Sequence, residues 1–196
     1  MSEQGSRNPG YALFETAIGR CGIVWSERGI VGVQFPGGSD QATRRRLLRR
    51  HLKACETIPP AAVQRTIEDI VALLEGERRD LSEAVLDWGA VPDFNRRVYH
   101  VARAIPPGST RSYGEVAARL GDRNLARDVA QALGQNPFPI IVPCHRIMAA
   151  GGKTGGFSAP GGVRTKLRLL SIERAQPGGP TLFAELLLAT RPRKRA

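Results

Sequence analysis

The sequence predicts an α/β (α+β) fold, with a small N-terminal antiparallel sheet and helices followed by a mostly helical C-terminal part that contains a helix-turn-helix. Three observations predict it. Residues 11–35 hold three short apolar segments separated by Gly-containing turns, which is typical of an antiparallel meander. Between residues 61 and 105, apolar side chains recur at helical spacing. Two short helical patterns over residues 112–135, joined by a turn at Gly121, are typical of a helix-turn-helix.

Two helices are predicted after the meander. Asp40 is predicted to cap a basic helix over residues 41–56. A second helix begins after Pro59-Pro60 and ends at Gly76. Residues 78–92 are predicted to form an irregular connection with one short strand.

The next helices belong to the C-terminal part. An amphipathic helix begins at Asp93, its predicted cap, and stops before Pro106. Ser112 and Glu115 have the spacing of a capping box at the start of a short helix. A further helix is predicted over residues 124–135.

The outward face of the 124–135 helix is slim. Ala126 and Ala130 lie beside Arg127, a shape that suits close approach to a nucleic-acid groove; an ordinary solvated helix face is the alternative. The outward stripe holds Arg127, Asp128, Gln131 and Gln135, and the inward stripe holds Leu125, Val129, Ala132 and Leu133.

The 196-residue chain carries a formal net charge of +11. Such a basic excess favours a polyanionic partner, most often nucleic acid. Basic residues cluster over residues 44–53 and 191–195, and each cluster alone is equally compatible with a solvated surface. No segment approaches the roughly 20 apolar residues that span a bilayer, and residues 1–10 lack the apolar region of a secretory signal. We therefore expect no membrane partner and a cytoplasmic protein, nucleoid-associated if bacterial.

The three cysteines are Cys21, Cys55 and Cys144. They are odd in number, widely spaced and without a CxxC motif, so neither a disulfide framework nor a zinc ribbon is expected. Cys55 follows His51 at the i,i+4 spacing of a helix, but no second ligand pair is evident. The sequence therefore predicts no metal site.

Cys144 and His145 lie side by side where the apolar run 138–142 gives way to a Gly-dense loop over residues 150–162. A thiolate is a strong nucleophile, and a histidine can take the thiol proton directly or through a water. The alternative is a buried, inert cysteine, because neighbouring side chains of an extended segment point to opposite faces.

The last predicted helix covers residues 163–173. Glu173 shares its inward stripe with Leu169 and Leu170, where a carboxylate needs a partner. An inward Glu173 can hold His145 in one tautomer and stabilise its charged form. The alternative is a carboxylate at a frayed helix end that reaches water.

Residues 136–146, Asn-Pro-Phe-Pro-Ile-Ile-Val-Pro-Cys-His-Arg, closely resemble the active-site signature of the O6-alkylguanine-DNA alkyltransferases. The likeness covers residues 93–174, and the N-terminal half matches only in layout, a small ribonuclease-H-like sheet with helices. The resemblance implies an N-terminal α/β scaffold domain (residues 1–91), an alkyltransferase and DNA-binding domain (92–175) and a basic extension (176–196). The other motifs that carry it are Phe94, Ile105-Pro106-Pro107-Gly108, Ser112-Tyr113, Ala126-Arg127, Gly156-Phe157-Ser158, Gly161-Gly162 and the helix ending at Glu173.

The resemblance implies a single-use DNA repair protein. Cys144 would take the alkyl group from an O6-alkylguanine rotated out of duplex DNA, which a monomer binds in the minor groove without cofactor or metal. His145 would act as a base through a water, oriented by Glu173. Tyr113 would push on the 3′ phosphate and protonate the leaving guanine. Asn136 would be the hinge between the recognition helix and the active-site loop.

The resemblance also implies two sets of contact residues. Arg127 would fill the space that the flipped guanine leaves in the base stack. The other residues at the DNA would be Ala126, Ala130, Gln131, Ser112 and Tyr113, and the pocket for the base would be lined by Pro139, Val142, Phe157, Ser158 and Leu133.

This chain departs from the common family pattern at three places. Asp128 and Gln131 occupy the outward stripe where small residues are usual, Phe157 replaces a tyrosine, and Ala159-Pro160 is an insertion. These departures leave room for a diverged alkylated substrate. Two other functions compete: a lesion-binding relative, which typically has tryptophan where this chain has Cys144, and an unrelated Cys-His hydrolase, against which the helix-turn-helix argues.

Overall fold

The computed structural model describes residues 8–175. No helix within that range is long and apolar enough to cross a membrane. The strands are β1 (Gly10–Phe14), β2 (Cys21–Ser26), β3 (Gly29–Gln34), β4 (Cys55–Glu56), β5 (Arg111–Ser112) and β6 (Ile147–Met148). The α-helices are α1 (Asp40–Arg50), α2 (Ala61–Leu74), α3 (Asp93–Arg103), α4 (Tyr113–Arg119), α5 (Ala126–Gly134) and α6 (Val163–Ile172).

The mixed α/β class and the antiparallel meander are confirmed. The larger sheet has the strand order β3-β2-β1-β4, with β1, β2 and β3 antiparallel in sequence. Strand β4 was not predicted; it pairs parallel to β1, with Gly10 opposite Cys55 and Tyr11 opposite Glu56. The ribonuclease-H-like layout stays a prediction.

Helix α1 is shorter than predicted. It ends at Arg50, so the predicted continuation to residue 56 is wrong. Cys55 N instead donates to Pro9 O at 2.9 Å and Thr57 N to Tyr11 O at 3.1 Å, which builds the edge strand. These backbone bonds to a distant strand override the helical pattern of the basic run.

Two predicted helix caps are also wrong by one residue. Ser39 caps α1, because its hydroxyl accepts a hydrogen bond from Ala42 N at 3.1 Å. Asp40 is the first helical residue, where its negative carboxylate interacts favourably with the positive end of the helix dipole. Pro92 likewise precedes α3, and Asp93 lies in its first turn.

The helix-turn-helix is formed by α4 and α5. The predicted capping box is present: Ser112 Oγ accepts from Glu115 N at 3.1 Å, and Ser112 N donates to the Glu115 carboxylate at 2.6 Å. A 3₁₀ turn over Arg123–Leu125 precedes α5, which begins at Ala126 rather than at residue 124. The Tyr99 hydroxyl on α3 donates to Ala132 O at 2.7 Å, so α5 is anchored to the core.

The two halves share one hydrophobic core. Its buried members come from the sheet, from α2 and α3, and from the segment before Cys144. The Trp88 and Phe138 rings pack edge to face at 5.5 Å between centroids, and Val33 N of β3 donates to Pro137 O at 2.8 Å. Residues on both sides of the predicted domain boundary at 91/92 therefore pack in the same core, and the boundary stays a prediction. The predicted extension over residues 176–196 lies outside the described residues.

Candidate active site

Pairing of two short strands sets Tyr113 beside the Cys144 segment. Cys144 opens a 3₁₀ turn, Cys144–Arg146, that leads directly into β6. Strand β6 pairs with β5, placing Ile147 opposite Arg111 and Met148 opposite Ser112. Because Tyr113 follows β5 at once, the pairing joins the start of the helix-turn-helix to the cysteine. No local signal in the sequence predicts this contact.

Asn136 holds the segment that leads to Cys144. Its carbonyl oxygen accepts from Phe138 N, and its amide nitrogen donates to Val142 O, both at 2.9 Å. Between them, Ile140 has φ 77°, a left-handed conformation that is unfavourable for a β-branched residue. A single amide thus bridges both ends of a strained segment next to the cysteine.

His145 and Glu173 form a buried pair. His145 Nε2 lies 2.9 Å from Glu173 Oε1, and the two side chains are only 1% and 3% exposed. Burial raises the pKa of Glu173, but hydrogen bonds and charges from His145 and Arg146 outweigh it and lower the pKa to about 2. Glu173 is therefore a carboxylate near neutral pH.

The charge of Glu173 fixes the tautomer of His145. A carboxylate can only accept hydrogen bonds, so Nε2 of the neutral imidazole carries the proton and Nδ1 keeps its lone pair. Burial lowers the pKa of His145, although Glu173 acts in the opposite direction, so the ring is neutral near neutral pH. Nδ1 is buried and has no hydrogen-bond partner within residues 8–175. Nδ1 of His145 is therefore available to accept a proton.

The end of α6 explains why Glu173 is buried rather than frayed into water. Arg174 has φ 55°, and its N–H donates to Ser171 O at 3.0 Å. Ala175 N donates to Leu170 O at 2.9 Å, and Ala175 packs with Leu170 and Met148. These two bonds form a Schellman motif, which satisfies the last carbonyls of the helix and holds the turn that carries Glu173.

Two buried cations at the site were missed from the sequence. Arg146 binds both oxygens of Glu173, through Nε at 2.9 Å and a terminal nitrogen at 2.7 Å. Lys166 Nζ donates to Ile147 O at 2.5 Å and Thr154 O at 2.6 Å, which joins the Gly-dense loop to β6. Lys166 lies at i−3, i−4 and i−7 from Leu169, Leu170 and Glu173, so the inward stripe could have revealed it.

The environment of Cys144 favours the thiol at rest. Burial raises its pKa, while a hydrogen bond from Asn136 and the charge of Lys166 act to lower it. Burial also lowers the pKa of Lys166, to about 8. Burial raises the pKa of Tyr113, and ionisation of Cys144 to the thiolate would raise it further. A base is therefore needed to ionise the sulfur during a reaction.

The other cysteines have different surroundings. Cys21 is fully buried, and burial raises its pKa to about 12. Cys55 is exposed on β4 and, since α1 has already ended, does not share a helical turn with His51. No three His, Cys, Asp or Glu side chains within residues 8–175 cluster as metal ligands would.

Cys144 lines a cavity of about 140 Å³ between the two halves of the chain. A cavity of about 150 Å³ can hold a benzene ring, so this one accommodates a ring-sized group. Val142 does not line it: its side chain is fully buried at 0% exposure, and its carbonyl accepts hydrogen bonds from Asn136 Nδ2 and from Cys144 N. Four of the predicted pocket residues do line it, namely Leu133, Pro139, Phe157 and Ser158.

Comparison with known proteins identifies the family. The family model described as "6-O-methylguanine DNA methyltransferase, DNA binding domain" matches residues 93–175. A methylated-DNA–protein-cysteine methyltransferase of Methanothermobacter thermautotrophicus is 36% identical over 152 residues, which cover 78% of each chain. The chain belongs to the methylated-DNA–protein-cysteine methyltransferase family.

Further members of the methyltransferase family agree in sequence and in fold. The Mycobacterium tuberculosis enzyme is 40% identical over 128 residues, covering 65% of this chain and 75% of that protein. The crystal structure of Mycobacterium tuberculosis OGT in complex with DNA matches with a TM-score of 0.65 and 30% identity, covering 86% of this chain and 96% of that one. The lesion-binding and hydrolase alternatives are therefore not favoured.

The helix-turn-helix of this methyltransferase-family chain presents the face predicted from the sequence. Arg127, Asp128 and Gln131 are exposed on α5, and Ala126 and Ala130 are half-buried beside them. The half-buried Ser112 hydroxyl already accepts the capping hydrogen bond of α4. Asp128 places a negative charge on the same face as Arg127.

Two of the expected departures from the family pattern lie at the cavity. The Phe157 ring meets Phe35 edge-on, at 5.9 Å between centroids, so it is held by an aromatic contact across the two halves. Ala159 and Pro160 also line the cavity, and Ala159 O accepts from Gly162 N at 2.9 Å just before α6. Residues 159–160 thus form part of the cavity wall and lead into the helix that ends at Glu173.

Proposed function

We propose that the protein repairs DNA by transferring the alkyl group of O6-alkylguanine to Cys144 Sγ, once per molecule. The observation that carries the proposal is the buried His145–Glu173 pair, whose free Nδ1 lies on the residue next to the cysteine. Such a pair activates a thiol that its surroundings keep protonated. Membership of the methyltransferase family supports the same reaction.

The proposed step is a displacement at the alkyl carbon. The Cys144 proton passes through a water to His145 Nδ1, and Glu173 stabilises the imidazolium that forms. The thiolate forms the S–C bond as the C–O6 bond breaks, and the bonding pair leaves with guanine. Tyr113 donates a proton to the leaving guanine and recovers one from solvent. The thioether product is stable, so the cysteine is consumed.

Asn136 is the proposed hinge of the site. Its side chain bridges the segment before Cys144, and its backbone N–H donates to Leu133 O at the end of α5. A movement of α5, the proposed recognition helix, would therefore be transmitted to Cys144 through Asn136. Leu133, Pro139, Phe157 and Ser158 would surround the base.

DNA is the proposed partner, bound by the helix-turn-helix in the minor groove. The reactive sulfur lines a cavity rather than an open surface, so the guanine must leave the base stack to reach it. Arg127 would fill the space left behind, and the small side chains of Ala126 and Ala130 allow close approach, with Gln131 and Ser112 nearby. We propose that the protein binds DNA as a monomer. Its proposed location is the cytoplasm, at the nucleoid if the source is bacterial.

Intact-mass measurement tests the transfer. Incubation with a duplex that contains O6-methylguanine should add one methyl group to the protein. Cys144→Ser should abolish the gain, whereas Cys55→Ser, at an exposed cysteine of β4 that does not line the cavity, should leave it unchanged. Tight binding of the duplex without any gain in mass would contradict transfer and favour a lesion-binding protein.

A further inference from the structure

The cavity at Cys144 has two unlike walls. The C-terminal half supplies Cys144, the proposed hinge Asn136 and the residues proposed to surround the base, which are apolar apart from Ser158. The N-terminal half supplies the end of β3 and three arginines of α1: Arg46, Arg49 and Arg50. None of the residues that line the cavity is an aspartate or a glutamate.

The packing of α1 directs these arginines to the cavity. Thr43 and Leu47 are buried against the sheet, which fixes the rotation of the helix. Arg46, Arg49 and Arg50 have the i, i+3, i+4 spacing of one helical stripe, so they share a face. Arg44 and Arg45 of the same helix do not line the cavity.

The three arginines carry uncompensated charge. Arg44 is paired with Glu56 at 3.0 Å, but Arg46, Arg49 and Arg50 form no ion pair with another residue of 8–175. Like charges at i,i+3 and i,i+4 repel on a helix. An anion between the guanidinium groups would relieve this repulsion, and a guanidinium fork binds carboxylates with two hydrogen bonds.

The reaction brings the substituent of the alkyl group into this region. The attacked carbon must lie against Cys144 Sγ, so an alkyl group longer than methyl continues from the sulfur into the rest of the cavity. The lining residues not proposed to surround the base include Phe35, Ala159-Pro160 and the α1 stripe. The far end of a long alkyl group would thus meet arginine side chains.

We propose that Arg46, Arg49 and Arg50 form an anion subsite on the α1 wall of the Cys144 cavity, so that the protein removes O6-alkyl groups carrying a carboxylate faster than neutral groups of the same shape. The inference rests on the proposed transfer to Cys144 and names a substrate class for it. The three residues are specificity determinants; the chemistry of the displacement is unchanged.

A matched pair of free bases tests the preference. O6-(para-carboxybenzyl)guanine and O6-(para-carbamoylbenzyl)guanine have the same shape and differ in charge, and without DNA no phosphate can occupy the arginines. We expect the carboxylate to react about five-fold faster, the upper end of what one exposed charge pair contributes. Arg46→Gln, Arg49→Gln and Arg50→Gln should each reduce this ratio, and the triple variant should bring it to about one.

The control is Arg45→Gln, which removes the same charge from an exposed position of α1 outside the cavity and should keep the ratio. A ratio near one in the unchanged protein would overturn the subsite. A ratio that stays the same in the triple variant would also overturn the subsite. If that variant in addition reacts more slowly with duplex DNA, the arginines bind DNA phosphates instead. Transfer from O6-methylguanine duplex, measured in parallel, shows separately whether the proposed function holds.

Discussion

Glu173→Gln tests whether the buried carboxylate supports both the fold and the reaction. The substitution keeps the shape of the side chain but removes the charge that Arg146 and His145 face. The pKa of Glu173 falls from 4.5 to about 2 on folding, and this difference corresponds to about 3 kcal/mol of stability near neutral pH. At 3% exposure, solvent screens little of this interaction. We therefore expect the free energy of unfolding to fall by about 3 kcal/mol in the variant.

The dependence on pH has a definite sign. Because the pKa of Glu173 is lower in the folded chain than in the unfolded one, its contribution is fully present above 4.5 and is lost as pH falls from 4.5 towards 2. The difference between the two proteins should therefore shrink over that interval. Urea unfolding of both proteins at a series of pH values measures it.

The transfer rate should fall as well, by about 100-fold, because the imidazolium loses its counter-charge. It is to be measured with a free O6-benzylguanine base at a temperature where the variant is folded. Glu75→Gln is the control, since Glu75 occupies the same C-cap position on α2 but is exposed. Equal stability of Glu173→Gln and the unchanged protein near neutral pH, or a difference that persists to pH 2, would refute the reasoning.

Three further predictions concern the DNA-binding face and the end of α6. Arg127→Ala should slow transfer from duplex DNA about ten-fold or more and leave the reaction with free O6-benzylguanine nearly unchanged, because only flipping needs the arginine. Asp128→Asn should tighten duplex binding by up to about five-fold, since an exposed acid facing phosphates contributes about 1 kcal/mol of repulsion; titration at fixed salt measures it. Arg174→Gly should raise the free energy of unfolding by about 1 kcal/mol, because glycine adopts φ 55° without strain.

Each of these has an outcome that would contradict it. Equal slowing on duplex and free base would exclude the intercalating role of Arg127. Unchanged or weaker DNA binding by Asp128→Asn would show that this carboxylate does not face phosphates. Arg174→Ala is the control at the end of α6, since alanine is strained there as arginine is; a gain equal to that of glycine would remove backbone strain as the cause.

The features of this protein that its sequence predicts correctly are local ones. The meander, the Ser112–Glu115 capping box and the exposed face of α5 follow from turn residues and helical periodicity, which are set within a few residues. The end of α1 is not local in this sense, because β4 forms through backbone hydrogen bonds from residues 55–57 to Pro9 and Tyr11. Glu173 had two interpretations from the sequence, a carboxylate that holds His145 and one that reaches water at a frayed helix end. Helical periodicity predicts the face on which a side chain lies but not the residue that it contacts.

The sequence by itself determined the fold class, the helix-turn-helix and the family. The first two follow from short-range patterns of apolar and turn residues, and the family follows from the order of motifs around Cys144. Only the tertiary structure decided what surrounds the cysteine. The His145–Glu173 contact spans 28 residues, and the cavity joins Cys144 to arginines of α1 nearly a hundred residues earlier in the chain. Such contacts, and the pKa values that follow from them, depend on how distant segments pack and exclude water, which no local pattern specifies.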